Sequence, residues 1–346
     1  MLTVKHLDQA DLATASRWDM FVDHCSEATF FHRSAWQRII VDVFRHPAHF
    51  LFAEDDEGRI RGILPLVHVN SRLFGNALVA LPFAVYGGIA AVDTEAVSVL
   101  EETAQELAGS LGVDHLEFRN VAPRHPEWPT QDLYVTFRKS ILPVPEDNML
   151  AIPRKQRAMV RKGIKNGLIS TVDCNTDRFF ALYADNVHRH GTPAMPKKYF
   201  DTLLQVFGQD CEVLTVSGPD GRSLSSVLSF YFRDEVLPYY AGDDESARHL
   251  AANDFKYWEL MRRACERGIQ VFDYGRSKQG TGSFAFKKNW GFEPQSLHYE
   301  YCLYKRDAIP QNNPNNPKYK FFIEAWRRMP ISMANRLGPY IVRNLG

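Results

Sequence analysis

What this 346-residue sequence lacks narrows it first. Its longest apolar run, 78–92, is broken by Pro82, Gly87 and Gly88 and falls short of the roughly 20 residues that cross a bilayer. The N-terminal stretch carries acids where a secretory leader needs an unbroken apolar core, so a cytoplasmic chain is expected, at most peripheral on the inner face of the inner membrane. Net charge is missing too: 41 Lys and Arg balance 41 Asp and Glu. No overall field draws the chain to DNA or anionic lipid, and any attraction must come from local patches. The five cysteines (25, 174, 211, 265 and 302) form no CxxC pair, which removes zinc chelation and dithiol redox chemistry. His188 and His190 stand two apart and would point to different sides of a helix, so no metal site is expected. No GxSxG elbow, Walker loop or HExxH pair is present.

What is present is a globular composition, 45% hydrophobic and 12% aromatic, over a length suited to two hydrophobic cores rather than one. The halves resemble each other. Residues 49–69 and 212–232 are both β-rich pairs around a turn, DEGR in one and PDGR in the other. A third apolar strand follows in each, ending near Tyr86-Gly87-Gly88 and Tyr240-Ala241-Gly242, and then a helix. GVDHLEFR from Gly112 next aligns without a gap on GIQVFDYG from Gly268, with a helix-ending glycine and an acid at one offset, Glu117 and Asp273. Hairpin, strand, helix, strand, twice over, predicts two α/β domains (mixed α+β), each a twisted mixed sheet flanked by helices. Boundaries are expected at 1–145, 146–309 and 310–346, the first break falling at LPVPEDNML and the last region being a linker and tail.

Three segments could carry chemistry. In 153–168, PRKQRAMVRKGIKNGL, a proline opens a helix and Asn166-Gly167 stops it. Arg154, Lys155, Arg157, Arg161, Lys162 and Lys165 meet no acid there, leaving Met159, Val160 and Ile164 to pack. Like charges so dense repel unless an anion neutralises them, and guanidinium forks fit phosphate oxygens, so a phosphate-bearing substrate is expected, against the alternative of a solvated basic face. In 246–268, Asn253 is expected to cap a helix buried through Phe255, Trp258, Met261 and Ala264, with Arg248 and His249 beside an N-terminus that could receive an anionic group of a donor. In 271–292, VFDYGRSKQGTGSFAFKKNWGF, a strand ends at Asp273 or Tyr274, and Ser283 is expected to cap a short helix closed by Gly291. Arg276, Ser277, Lys278 and Lys287 then converge at the sheet's C-terminal edge, where open α/β sheets bind ligands. GTGSFA within it matches a dinucleotide fingerprint but opens no βαβ unit, because one β run, 295–304, is expected to end the domain.

After PQNNPNNP at 310–317, residues 318–346 carry six cations against the single acid Glu324, interleaved with Phe321, Phe322, Trp326, Ile331, Met333, Leu337, Tyr340 and Ile341. Such a tail either rests on anionic lipid or docks on the domains.

FFHRSAW (30–36), SRLFGNALVALPFAVYGG (71–88), PRKQRAMVRKG (153–163), GTPAMPKKYF (191–200) and above all FDYGRSKQGTGSFAFKKNWG (272–291) resemble the FemAB-like family, in particular its members associated with exosortase (PEP-CTERM) and exopolysaccharide systems. The resemblance implies two tandem GNAT-like (acyl-CoA N-acyltransferase) domains and a helical tail. It implies transfer of an acyl or aminoacyl group from an ester or thioester to an amine on a phosphate-bearing or lipid-linked cell-envelope intermediate. The donor would be a co-substrate (acyl-CoA, acyl carrier protein or aminoacyl-tRNA), with no tightly bound cofactor. The Phe-Lys pair, here Phe286 and Lys287, puts a lysine on the developing oxyanion, a large electrostatic lever in acyl transfer. Asp273 or Tyr274 would relay the amine proton. Arg154, Lys155, Arg157 and Arg161 would hold phosphates, with Arg248, Asn253, Arg276, Ser277, Lys278, Phe286, Trp290 and Tyr86 as further substrate contacts. The chain lacks the coiled-coil insertion of some Fem enzymes and the QxxGxG loop of CoA-dependent GNATs, which leaves the donor open. A non-catalytic binder of a phosphorylated carrier would need Arg154 and Arg157 but not Lys287. RNA binding would want aromatic platforms that the basic helix lacks.

Overall fold

The computed structural model describes residues 1–72, 74–309 and 317–344, with side chains from 321 onward in the last segment. It contains two compact units. One comprises Met1–Leu133 and the strand His298–Leu303; the other comprises Tyr134–Gln295 and the helices Pro317–Arg328 and Ile331–Val342.

The hairpins form where the turn residues demand them. Ala48–Glu54 pairs antiparallel with Ile60–Ser71, and Cys211–Ser217 with Ser223–Phe232. Gly58 (φ 76°) and Gly221 (φ 80°) occupy left-handed turn positions that cost glycine little. In the first unit the sheet order is Thr3–His6, Ala48–Glu54, Ile60–Ser71, Gly75–Ala80, His115–Asn120, His298–Leu303 and Thr130–Gln131. In the second it is Ser277–Lys278, Tyr134–Ser140, Val271–Asp273, Glu235–Asp243, Ser223–Phe232, Cys211–Ser217 and Ile169–Asp173. Each contains a parallel pair, Gly75–Ala80 on His115–Asn120 and Glu235–Asp243 on Val271–Asp273. A helix bridges each pair. Thr94–Leu111 is capped by the Asp93 side chain, ends at Gly112 (φ 60°), and buries Ala96, Leu100, Ala104 and Ala108 at four-residue spacing. Full burial of a leucine such as Leu100 is worth about 2 kcal/mol.

The duplicated architecture is as expected, and its seams differ. The β run expected to end the second domain instead completes the first sheet, where His298–Leu303 lies antiparallel on His115–Asn120. Reciprocally, Tyr134–Ser140 lies antiparallel on Val271–Asp273 in the second sheet. The chain therefore divides at 133/134 and near 295 rather than at 145 and 309. A repeat shows which strands correspond, but not which sheet edge a terminal strand will join. The linker expected at 310–317 lies, up to residue 316, outside the described residues.

Three local expectations also change. The first unit's third strand stops at Ala80, so Tyr86 sits in the following loop and is no counterpart of Tyr240, which is within a strand. The basic helix Arg154–Lys165 packs through Gln156, Val160 and Gly163, while Ile164 is exposed. Gly163 decides this face: a Cβ there would stand 2.8 Å from the Phe255 Cβ, so the missing side chain lets two helices approach closely. The helix Ala252–Glu266 starts from Ala251 in a left-handed conformation, which places Asn253 inside the first turn, and Gly282–Asn289 is capped by Thr281 rather than Ser283. The expected apolar face Phe255, Trp258, Met261 and Ala264 is buried.

Candidate active site

The site is built where the second unit's parallel ladder stops. Only Glu235–Val271 and Val236–Phe272 pair; in the first unit the equivalent ladder runs one residue further, to Val79–Glu117. Pro238 supplies a physical reason, because it has no backbone N–H to extend a ladder. The antiparallel register on the other side also shifts there, Leu228 facing Tyr240 and Ser229 facing Pro238, which makes Tyr239 a bulge. Bulges bend a strand and free its backbone groups. Beyond the bulge the strand stays paired with Ser223–Phe232 and is held from other elements as well. Gly242 meets the helix Asp177–Arg189 so closely that a Cβ would come within 2.3 Å of the Tyr183 nitrogen. The Asp243 carboxylate accepts from Ser225 Oγ and, at 2.9 Å, from the wholly buried Lys256 Nζ. Its carbonyl accepts from Arg189.

On the other side of the parting, Val271–Asp273 gives way to a turn through Gly275 (φ 63°). Asp273 is buried. Its Oδ1 accepts from the Gly275 N–H at 2.7 Å and from Thr136 Oγ1 at 3.4 Å; Oδ2 accepts no hydrogen bond and lies 3.4 Å from Arg138 Nε. Arg138 stands directly across the strand pair from Asp273 and also pairs with Glu235. Burial pushes the Asp273 carboxyl above its ordinary range, against the Gly275 hydrogen bond and the Arg138 and Lys287 charges. The guanidinium that faces Asp273 is thus that of Arg138 and not of the neighbouring Arg276, which is exposed with its guanidinium 4.7 Å over the Tyr134 ring.

Lys287 reaches this turn from the helix Gly282–Asn289. It is buried, and Nζ donates to the carbonyls of Tyr274 (2.6 Å), Gly275 (2.9 Å) and Arg276 (3.2 Å), which uses all three ammonium protons. Burial lowers its pKa to about 7, while the Asp273 charge opposes the shift. The rings of Phe137 and Tyr274 lie 5.6 and 5.9 Å from the ammonium.

The other expected residues divide. Tyr274 is in the core among Tyr257, Phe272, Phe286 and Phe292, its hydroxyl lacks a hydrogen-bond partner, and burial raises its pKa well above the ordinary value. A hydroxyl that is buried and bonded to nothing is poorly suited to passing protons. Trp290, expected against substrate, is likewise core, its indole N–H donating to Asp254 Oδ1 at 3.0 Å. Phe286 is half-buried between Tyr257 and Trp290. Ser277 is buried against Ser283, and Lys278 is half-buried with its carbonyl accepting from Thr281. Arg248 is exposed on the short helix Ala247–Leu250 just before Asn253. Arg157 donates to the Leu150 carbonyl at 3.2 Å, whereas Arg154, Lys155, Arg161, Lys162 and Lys165 are exposed and make no ion pair or side-chain hydrogen bond with any described residue. The start of their helix rests on the turn after Lys287: a Cβ on Gly291 would stand 3.3 Å from the Pro153 ring. Tyr86 belongs to the other unit, where it packs beside Phe31.

Sequence reasoning missed Pro238, Asp243, Lys256 and Asp254. A proline inside an apolar β run was a readable signal of a broken ladder. Asp254 and Lys256 alternate with Phe255 and Tyr257 at the start of a buried helix, which marks them as charges needing partners. Burial raises the Asp254 carboxyl to about 6.

Residues 154–288 match the family model described as an acetyltransferase (GNAT) domain. No curated protein sequence matches the chain. Among solved structures the chain is similar to FemX, at 15% identity and a TM-score of 0.66, over 86% of this chain and 97% of that one. It is also similar to the C-terminal domain of a putative lysylphosphatidylglycerol synthetase from Agrobacterium fabrum (13%, TM-score 0.56, 86% and 93%). A tandem GNAT protein from the clavulanic acid biosynthesis pathway matches at 13% identity and a TM-score of 0.54, over 89% of this chain and all of that one. The fold is two GNAT-like domains in tandem, each a mixed sheet with flanking helices.

Proposed function

We propose that this protein is an N-acyltransferase whose reaction takes place in the second unit, where Glu235–Asp243 and Val271–Asp273 part. The single observation that carries the reading is the early end of the parallel ladder at Pro238 and the Tyr239 bulge, inside the segment that matches the GNAT model. Freed backbone N–H groups at a bulge can bind a carbonyl oxygen as it gains charge, and they are already oriented before reaction. An amine attacks the carbonyl carbon of a thioester or ester; the new C–N bond forms and the C–S or C–O bond breaks. The amine proton leaves to the Asp273 carboxylate, directly or through water, and then to the departing thiolate or alkoxide. Raised by burial, Asp273 is a better proton acceptor than an exposed carboxylate.

Lys287 holds the 274–276 turn by three carbonyls and sets a positive charge beside Asp273. To contact an oxyanion directly it would have to give up one of those carbonyls, so its first role is to position the turn. The unpaired cations of Arg154–Lys165 suit the phosphates of a lipid-linked or otherwise phosphorylated envelope or exopolysaccharide intermediate as acceptor. The donor is acyl-CoA, an acyl carrier protein or an aminoacyl-tRNA.

Mass spectrometry of lipid and glycan extracts from cells with and without the protein tests the reading. An intermediate heavier by one acyl or aminoacyl group, present only with the wild type, supports it. Retention of a phosphorylated carrier with no mass change would make the protein a binding module instead.

A further inference from the structure

The tail is an orderly element of the second unit with two opposed faces. The helices Pro317–Arg328 and Ile331–Val342 dock on the helix Asp177–Arg189 and the turn after it. Trp326, Ala334, Gly338 and Val342 are buried. The Met329 carbonyl bonds His188 Nε2 at 2.9 Å, and a Cβ on Gly338 would stand 3.0 Å from the Ala194 carbonyl oxygen. Docking therefore uses the small residues, Trp326 and Ile323, whose side chain lies against Gly191. Other large ones point elsewhere: Phe321 is 82% exposed, Met333 52% and Leu337 43%, with Phe322 and Ile331 also exposed. A chain ordinarily buries such side chains, and gathering them on one short element marks a surface made to be covered.

What covers it is indicated by charge. Arg327, Arg328 and Arg336 are exposed along the same helices, and residues 318–346 hold six Lys and Arg against one acid, in a protein whose total of 41 cations against 41 acids leaves the rest net acidic. Apolar side chains interleaved with arginines match the boundary of an anionic bilayer, where acyl chains take the first and phosphates the second. Each helix spans 12 residues, and among the described residues no helix is long and apolar enough to cross a membrane, so the element would lie in the interface. We propose that the docked helical pair at 317–342 is a platform that seats the second unit on an anionic phospholipid surface. Its geometry and charge are independent of the transfer reaction.

Flotation of the full-length protein with vesicles of phosphatidylcholine, with and without phosphatidylglycerol, tests the platform. The wild type should float with the anionic vesicles and fall away as salt is raised. Phe321→Ser with Met333→Ser, and separately Arg328→Glu with Arg336→Glu, should each cut the bound fraction about tenfold or more. These four side chains are exposed, so unchanged circular dichroism and Tm are expected in both variants. Equal flotation of wild type and variants would overturn the proposal. So would a concentration-dependent dimer, seen by sedimentation velocity without vesicles and lost in Phe321→Ser with Met333→Ser, because the face would then belong to a second copy.

Discussion

The two units solve the same local problem in opposite ways. Both carry a parallel pair of strands, and the ungapped repeat puts Glu117 opposite Asp273 in register and Arg119 opposite Gly275. In the first unit Arg119 is buried. It donates to Glu117 at 2.7 Å and to the Ala84 and Leu81 carbonyls at 2.8 and 3.3 Å, while its own carbonyl accepts from Gly87 and Gly88. The chain leaves the sheet at Ala80, and this arginine ties the loop 81–88 across the strand ends. In the second unit the strand runs on through Pro238 and a bulge to Asp243, glycine stands at the arginine's place, and a lysine from a later helix holds the turn by its carbonyls. Both acids are buried beside a guanidinium, Glu117 at 2.7 Å from Arg119 and Asp273 at 3.4 Å from Arg138, but one Asp273 oxygen is left without a hydrogen bond. The lesson is that duplication preserves the frame, and one register position decides how the chain is tied at the strand ends.

Gly275→Arg should have the largest effect, because it puts the first unit's tying arginine into the turn that Lys287 holds and forces a side chain onto φ 63°. Transfer should fall about 1,000-fold, equivalent to about 4 kcal/mol, with a stability loss of about 1–2 kcal/mol from the left-handed backbone. A variant that keeps full activity would break the comparison.

Arg119→Leu should do the reverse. Glu117 is left buried without its guanidinium, which costs about 3–5 kcal/mol of stability in urea melts, while initial transfer rates of the folded fraction stay at the wild-type level. Reduced turnover in folded protein would mean that the first unit takes part in chemistry.

Lys287→Met should lower kcat about 100-fold, or about 3 kcal/mol, and loosen the 274–276 amides to hydrogen exchange. Loss of kcat with those amides still protected would return Lys287 to direct contact with the oxyanion and remove the positioning role.

The smallest effect is in the pH dependence of the first unit, where His125 lies between Glu300 and Glu101 at 2.8 and 2.9 Å. Burial works against its charge, but the two carboxylates raise its pKa from 6.5 to about 9. Stability from this shift is complete below pH 6.5 and is lost as pH rises through about 9. For Glu300 burial opposes ionisation, yet hydrogen bonds from His125, Arg124 and Asn120 take it from 4.5 down to about 2, so its contribution is complete above 4.5 and is lost as pH falls through about 2. The Tm difference between wild type and His125→Gln should be greatest between about pH 5 and 6 and should shrink toward pH 9. A difference that grows toward pH 9 would contradict the pairing.

Much of the frame was readable because turn chemistry and alternation are local: DEGR and PDGR mark hairpins, and Gly112 and Gly268 mark helix ends. Strand exchange was not, since Tyr134–Ser140 and His298–Leu303 are both plausible edges by pattern and only long-range pairing assigns them. The site was half legible. In 271–292 the sequence put Asp273 at a strand end and Lys287 on the short helix that follows, and both lie there, yet the spacing that brings Lys287 to the turn says nothing of which atoms take its protons. Trp290 and Tyr274 looked functional because aromatic residues beside Gly-rich loops suit both a ligand and a core; burial distinguishes them, and burial is a tertiary property. The partner of Asp273, Arg138, lies 135 residues earlier in the chain, and no local rule pairs them.

The central claim, that transfer occurs only where the second unit's strands part, is tested most directly by hydrogen exchange measured with and without whichever of acetyl-CoA, an acyl carrier protein or an aminoacyl-tRNA supports turnover. The account predicts new protection at 239–243 and 274–277, with 77–88 unchanged. Protection confined to 77–88 and 115–120 would contradict it.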